Sequence, residues 1–130
     1  MGRSWTRLTY YSLDSTEKGS FMPYNLTDKT CVPCRGGTAP LTYREADTLL
    51  SDIPGWELKG DATQLYRSYK FDNFQNTLDF VNKVGTIAEK EEHHPDIEFG
   101  WGYANILVFT HRINGLHEND FILAAKINAI

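Results

Sequence analysis

The rhythm of apolar and polar positions changes at Leu41. Residues 1–40 have no periodicity and are rich in Gly, Pro, Ser and Thr, which reads as tail and loop. From Leu41 the pattern becomes helical. Thr42 and Glu45 form a capping box, Leu41 and Ala46 sit where a hydrophobic staple would, and Leu49, Leu50 and Ile53 give a buried stripe that Pro54-Gly55 ends. Trp56 to Lys59 alternates, Gly60-Asp61 turns, and Leu65 to Phe71 alternates again, which predicts a β-hairpin. Asp72 or Asn73 then caps a second helix, on which Phe74, Leu78, Val81, Val84 and Ala88 recur at helical spacing to about Lys90.

That helix must stop near His93. His94 precedes Pro95, and the proline ring pushes the residue before it out of helical angles. Ile97, Phe99 and Trp101 alternate with Asp96, Glu98 and Gly100 to predict a third strand. Gly102 marks a turn, Ala104 to His111 reads as a fourth strand, and Glu118 to Ile130 as a last helix with Phe121, Ile122, Ala125 and Ile127 on its apolar side. The order is α-β-β-α-β-β-α. Short connections make the sheet antiparallel, so the expected fold class is α+β, a four-stranded antiparallel sheet with three helices packed on one face. A flexible tail over residues 1–27 would precede a single domain over 28–130.

On the fourth strand Ala104, Ile106, Val108 and Thr110 share one face, and Asn105, Leu107, Phe109 and His111 the other. If helices cover the first face, Leu107 and Phe109 remain apolar on the second, where a half-solvated sheet is normally polar. A partner subunit or a ligand pocket would account for them.

Composition narrows the function classes. The 130 residues suit one domain, 41% hydrophobic content supports a core, and a net charge of −4 offers no broad basic surface for nucleic acid. No apolar run approaches the length of a membrane span. The first twenty-one residues carry Arg3 and Arg7 without an apolar segment, unlike a secretory signal, so a cytoplasmic protein is expected; Met22 is a plausible alternative start. Cys31 and Cys34 form a lone Cys-x-x-Cys followed by loop chemistry. It reads as a surface loop, with half a zinc site or a redox pair as the alternatives.

All four histidines lie between Glu89 and Asp120, beside carboxylates. Imidazole is the side chain whose ordinary pKa lies nearest neutrality, which suits proton transfer. Metal binding fits poorly, because the adjacent His93 and His94 point apart and no His-x₃-His occurs. A Ser or Cys nucleophile fits less well still, since no Gly-x-Ser-x-Gly elbow is present. Metal-free acid–base work fits better. His93 and His94 emerge where a helix stops, and His111 ends a strand. Asp120 falls in the first turn of the last helix, where the dipole favours an anion that can orient an imidazole, and Glu89 lies one turn before His93.

The pattern Glu89-x₃-His93-His94-Pro95-x₅-Trp101-x₉-His111-x₈-Asp120 resembles the signature of the pterin-4a-carbinolamine dehydratases. Pro54-Gly55-Trp56, Gly60-Asp61-Ala62, the Phe71–Phe74 segment, Ala88-Glu89-Lys90 and Gly115-Leu116 are similar to that family too, and the segment from Cys31 to Gly37 resembles one in many bacterial members. The resemblance spans about residues 28–130. It implies the α+β fold above and self-association through the sheet, to a homodimer or homotetramer. It also implies dehydration of 4a-hydroxytetrahydropterin to quinonoid dihydropterin, a step that recycles the cofactor of aromatic amino-acid hydroxylases. No metal or redox cofactor is implied, the pterin being the substrate. Carried over by position, His93 and His111 would be the acid–base pair and His94 would bind and polarise the pterin. Glu89 would contact the ring or hold the loop, Asp120 would orient His111 or His93, Thr110 would lie beside the site, and Trp56 would form a wall.

Two positions depart from the family. His117 replaces the usual Ser or Thr helix cap, which predicts a weaker cap. Asn119 stands where animal members often carry a basic residue. The resemblance also admits a role without catalysis, because animal members act as dimerisation partners of a homeodomain transcription factor and some bacterial relatives as assembly factors for a carbon-fixing enzyme.

Overall fold

A computed structural model of the protein describes residues 25–33 and 35–130. The expected tail up to residue 24, the alternative start at Met22, and Cys34 lie outside the described residues, so any pairing of Cys31 with Cys34 does too.

The chain forms α1 (Tyr43–Leu50), β1 (Glu57–Lys59), β2 (Gln64–Lys70), α2 (Phe74–Glu91), β3 (Asp96–Gly100), β4 (Tyr103–Val108) and α3 (Glu118–Asn128), with single 3-10 turns at Leu26–Asp28 and His111–Ile113. The sheet is antiparallel throughout, in the order β1-β2-β4-β3. This is the α+β architecture that the periodicity predicts.

Register decides which side chains meet the helices. Leu65 pairs with Val108, Tyr69 with Ala104, and Ile97 with Ile106, which sets one face of the sheet against the core. Ala104, Ile106 and Val108 are buried there with Phe121, Ile122 and Leu123 of α3 and Val84 of α2. Arg67 also falls on this face by alternation. Its guanidinium finds partners at the end of α3, donating to Asn128 Oδ1 at 2.7 Å and to the Pro54 carbonyl at 3.1 Å, and it lies over the Tyr69 ring. Gly55 makes this possible. It sits at φ +92°, and a Cβ there would lie 2.5 Å from the Arg67 guanidinium carbon.

Helix α1 starts with the expected capping box. Thr42 Oγ1 accepts from the Glu45 amide at 3.2 Å and the Glu45 carboxylate accepts from the Thr42 amide at 2.8 Å. Asn73, one of the two candidates, caps α2.

Four features differ from the sequence reading. Strand β3 stops at Gly100, because Trp101-Gly102 makes the hairpin turn and leaves Trp101 exposed. Strand β4 stops at Val108, and His111 opens a 3-10 turn that Asn114 closes in the left-handed region. On α2 the buried line is Thr77, Val84, Ala88 and Glu91, while Phe74 is exposed, with its ring 6.2 Å from that of Phe99 on the edge strand. Helix α3 ends at Asn128 and is buried almost all round, so it is the central helix and has no single apolar side.

The segment before α1 is more than loop. Leu26 is buried in the main core, and the chain around it packs on α3. Among the described residues, no helix is long and apolar enough to cross a membrane.

Candidate active site

The end of α2 aims the first two histidines. Glu92 adopts φ +54°, the left-handed conformation that terminates helices, and the His93 amide donates back to the Ala88 carbonyl at 3.1 Å. Pro95 then forces the chain into β3. This reversal sets His93 and His94 on opposite sides of one corner, with different surroundings.

His93 points inward and is only 13% exposed. Its Nε2 lies 2.6 Å from Oδ1 of Asp120, whose side chain is 0% exposed. The other carboxylate oxygen of Asp120 accepts from Thr110 Oγ1 at 2.8 Å and from the His117 amide at 2.9 Å. The last contact is half of a capping box on α3. The other half is the His117 ring, whose Nδ1 accepts from the Asn119 amide at 3.0 Å. An imidazole therefore fills the role that Ser or Thr plays in most N-caps, so the cap expected to be weak is made by a different acceptor.

His94 points outward, is 59% exposed, and contacts the Glu89 carboxylate through Nε2. His111, 62% exposed, lies tilted against Phe109 with ring centroids 4.1 Å apart, and its Nε2 is 3.8 Å from Asp96. Asp120 thus partners His93 and not His111.

The three histidines share one cleft of about 480 Å³, whose lining also includes Phe109, Thr110 and Arg112 but not Glu89, which meets it only through His94. Asp120 sits behind it, under His93 and Thr110. Trp56 does not line it. That side chain is buried in the core, with its indole N–H donating to Asn128 Oδ1 at 2.8 Å, at the far end of α3. Periodicity carried no sign of this, because an aromatic beside a turn suits a pocket wall and a core position equally.

A further part of the lining was not expected from the sequence. Cys31, Val32 and Pro33 line the cleft together with Glu91 and Asn119. Burial pushes the Cys31 thiol up to about 12, and the neighbouring Glu91 carboxylate adds to the shift. Such a thiol stays protonated at neutral pH, which makes it a poor nucleophile and a poor metal ligand. Burial would raise the Glu91 pKa, but Lys126 and the backbone amide of Cys31 bond its carboxylate and bring it below the ordinary value of 4.5. Among the described residues no group of three or more His, Cys, Asp or Glu is arranged to hold a metal ion.

Comparison with known proteins identifies the family. A sequence model of the family described as Pterin 4 alpha carbinolamine dehydratase matches residues 39–130. A protein of Halorhodospira halophila is 56% identical over 106 residues, covering 82% of this chain and 97% of its own. One of Methylococcus capsulatus is 56% identical over 106 residues, covering 82% and 93%. Both carry the provisional name pterin-4-alpha-carbinolamine dehydratase. Among solved structures, the transcriptional coactivator/pterin dehydratase of Brucella melitensis superposes with a TM-score of 0.65 at 31% identity, over 69% of this chain and 96% of that one. A pterin dehydratase-like protein that is a RuBisCO assembly factor in the alpha-carboxysome shares the fold, with a TM-score of 0.51 at 24% identity over 60% and 90% of the two chains. The histidine cleft and the match over residues 39–130 lead to one conclusion: the chain belongs to the pterin 4 alpha carbinolamine dehydratase family.

Proposed function

We propose that this protein dehydrates a 4a-hydroxytetrahydropterin to the quinonoid dihydropterin and water by histidine acid–base catalysis. The observation that carries the reading is the His93–Asp120 pair at the wall of a cleft that His94 and His111 also line.

The reaction removes a proton from N5 and the hydroxyl from C4a. As the N5–H bond breaks, its electron pair forms the N5=C4a double bond, and the C4a–O bond breaks as the oxygen takes a proton to leave as water. Oδ2 of Asp120 is occupied by two donors, so Oδ1 accepts from Nε2–H of His93. That leaves Nδ1 of His93 as the nitrogen available to take the N5 proton. His111 supplies the proton to the hydroxyl, and its exposure lets it recover a proton from water. His94, held by Glu89, polarises the ring. Both bond changes are heterolytic and no oxidation state changes, so the chemistry needs no metal or redox cofactor. The product would feed the recycling of the pterin used by an aromatic amino-acid hydroxylase.

The test is the rate of 4a-hydroxytetrahydropterin dehydration, followed by absorbance, with a His93→Ala control. The wild-type protein should accelerate it, and the variant should lose about 10²–10⁴-fold in kcat while remaining folded. No acceleration by the folded wild-type protein would sink the enzymatic reading and leave a binding or assembly role on the same scaffold.

A further inference from the structure

One wall of the cleft plays no part in the proton transfers. Cys31, Val32 and Pro33 form it, upstream of residue 39 where the family model begins and in the segment that resembles one in many bacterial members. They lie in no helix or strand, and buried side chains fix them in place. The Asn119 carboxamide grips Val32 at both ends of its backbone: Oδ1 accepts from the Val32 amide at 3.0 Å, and Nδ2 donates to the Val32 carbonyl at 2.6 Å. The side chain thereby imitates a neighbouring β-strand. One residue earlier, the Cys31 amide donates to Glu91 Oε1 at 2.8 Å, and Glu91 Oε2 is held by Lys126 at 2.7 Å. Upstream, Leu26 is buried in the core and Lys29 pairs with Glu118 at 3.1 Å.

The held segment presents apolar surface to the cleft. Val32 is 56% exposed although its backbone is bonded on both sides. It lines a cleft whose other apolar groups are Phe109 and Pro95 and whose polar groups include the three histidines, Arg112, Thr110 and the carboxylates of Glu92 and Asp96. Ordering a segment costs conformational entropy that a surface loop ordinarily keeps. An apolar wall in a cleft that also carries a few placed polar groups is how a site receives a flat, polar-edged ring.

We propose that Cys31–Pro33 is a substrate-binding wall that takes the face of the pterin ring, with Asn119 and Glu91 as its positioning residues. The inference rests on the dehydratase reading. The wall supplies none of the groups assigned to move a proton, so it binds ground and transition state alike and acts on KM rather than kcat.

Kinetics of the full chain with Asn119→Ala and Val32→Asp test this, together with amide exchange across residues 26–33. Asn119→Ala should raise KM about tenfold, leave kcat within about twofold and the pH profile unchanged, and speed exchange at Cys31 and Val32. Val32→Asp changes an exposed side chain, so it should raise KM similarly with normal exchange, and it carries the test alone if Asn119→Ala does not fold. A 7,8-dihydropterin should slow exchange at the two amides in the wild-type protein. Dehydration with KM unchanged in the folded variants, or a loss confined to kcat, would overturn the wall and leave the dehydratase reading standing. A wild-type protein that neither dehydrates nor binds pterin would overturn both.

Discussion

At the scale of single residues, the site depends on one buried carboxylate. Asp120 joins three elements: it holds His93 at the end of α2, Thr110 after β4, and the His117 amide at the start of α3. In an asparagine there, an amide nitrogen at the Oδ2 position would face the His117 N–H, donor against donor, and at the Oδ1 position it would hold His93 in the tautomer that protonates Nδ1, the nitrogen assigned to take the N5 proton. Asp120→Asn should therefore lower kcat by about 10²-fold or more, through loss of His93 orientation, with a smaller change in KM. A melting curve alongside the kinetics separates that effect from unfolding. His111→Ala should lose kcat by about 10²–10⁴-fold with little change in melting, since its side chain is exposed. Near-normal turnover by that variant would remove His111 as the acid.

At the scale of elements, the left-handed residue Glu92 and the proline at 95 together turn α2 into β3 and divide the roles of the two adjacent histidines. The same helix end carries Glu91, which ties α2 to Lys126 of α3 and to the segment before α1. Its pKa is lower in the folded protein than the ordinary 4.5, so between the two values the folded state binds fewer protons than the unfolded state. Stability from Glu91 is then fully present above about pH 4.5 and falls away as pH drops through the folded value. Glu91→Gln should cost about 1–3 kcal/mol at pH 7, the worth of hydrogen bonds to a charged group. In a series of thermal melts from pH 7 to pH 3 the gap between variant and wild type should narrow below pH 4.5. A gap independent of pH would show that the charge of Glu91 contributes nothing.

At the scale of the whole molecule, the described helices cover one face of the sheet, and among the described residues no helix or strand covers the other. On the other, half-buried Tyr66 and Leu107 pair across β2 and β4, and Leu107 pairs with Asp96 on the edge strand β3. Apolar side chains on an open antiparallel face next to an unpaired strand edge favour self-association. Sedimentation at micromolar concentration should give a dimer or a larger species, and Leu107→Lys should shift it toward monomer. A wild-type monomer at that concentration would remove a partner subunit as the explanation of this face. Phe109, the other apolar residue on that side of the alternation, lines the histidine cleft instead.

Local pattern determined much of this protein. Alternation and helical spacing are properties of neighbouring residues, so the element order, the Thr42 cap, and the burial of Ala104, Ile106, Val108 and Thr110 could be read from the chain alone. The stretch from Glu89 to Asp120 also held His93, His94 and His111, which line one cleft, whereas Glu89 and Trp101 of the same pattern are not in its lining. Tertiary structure decided what depends on distant partners. Trp56 lies in the core because Asn128, seventy-two positions away, accepts its N–H. Asp120 serves His93 and not His111 because the turn after β4 carries His111 outward while α2 ends against α3. The segment at Cys31 forms a cleft wall through hydrogen bonds to Glu91 and Asn119, sixty and more positions on, and such contacts leave no periodic trace in the sequence because packing alone brings the partners together.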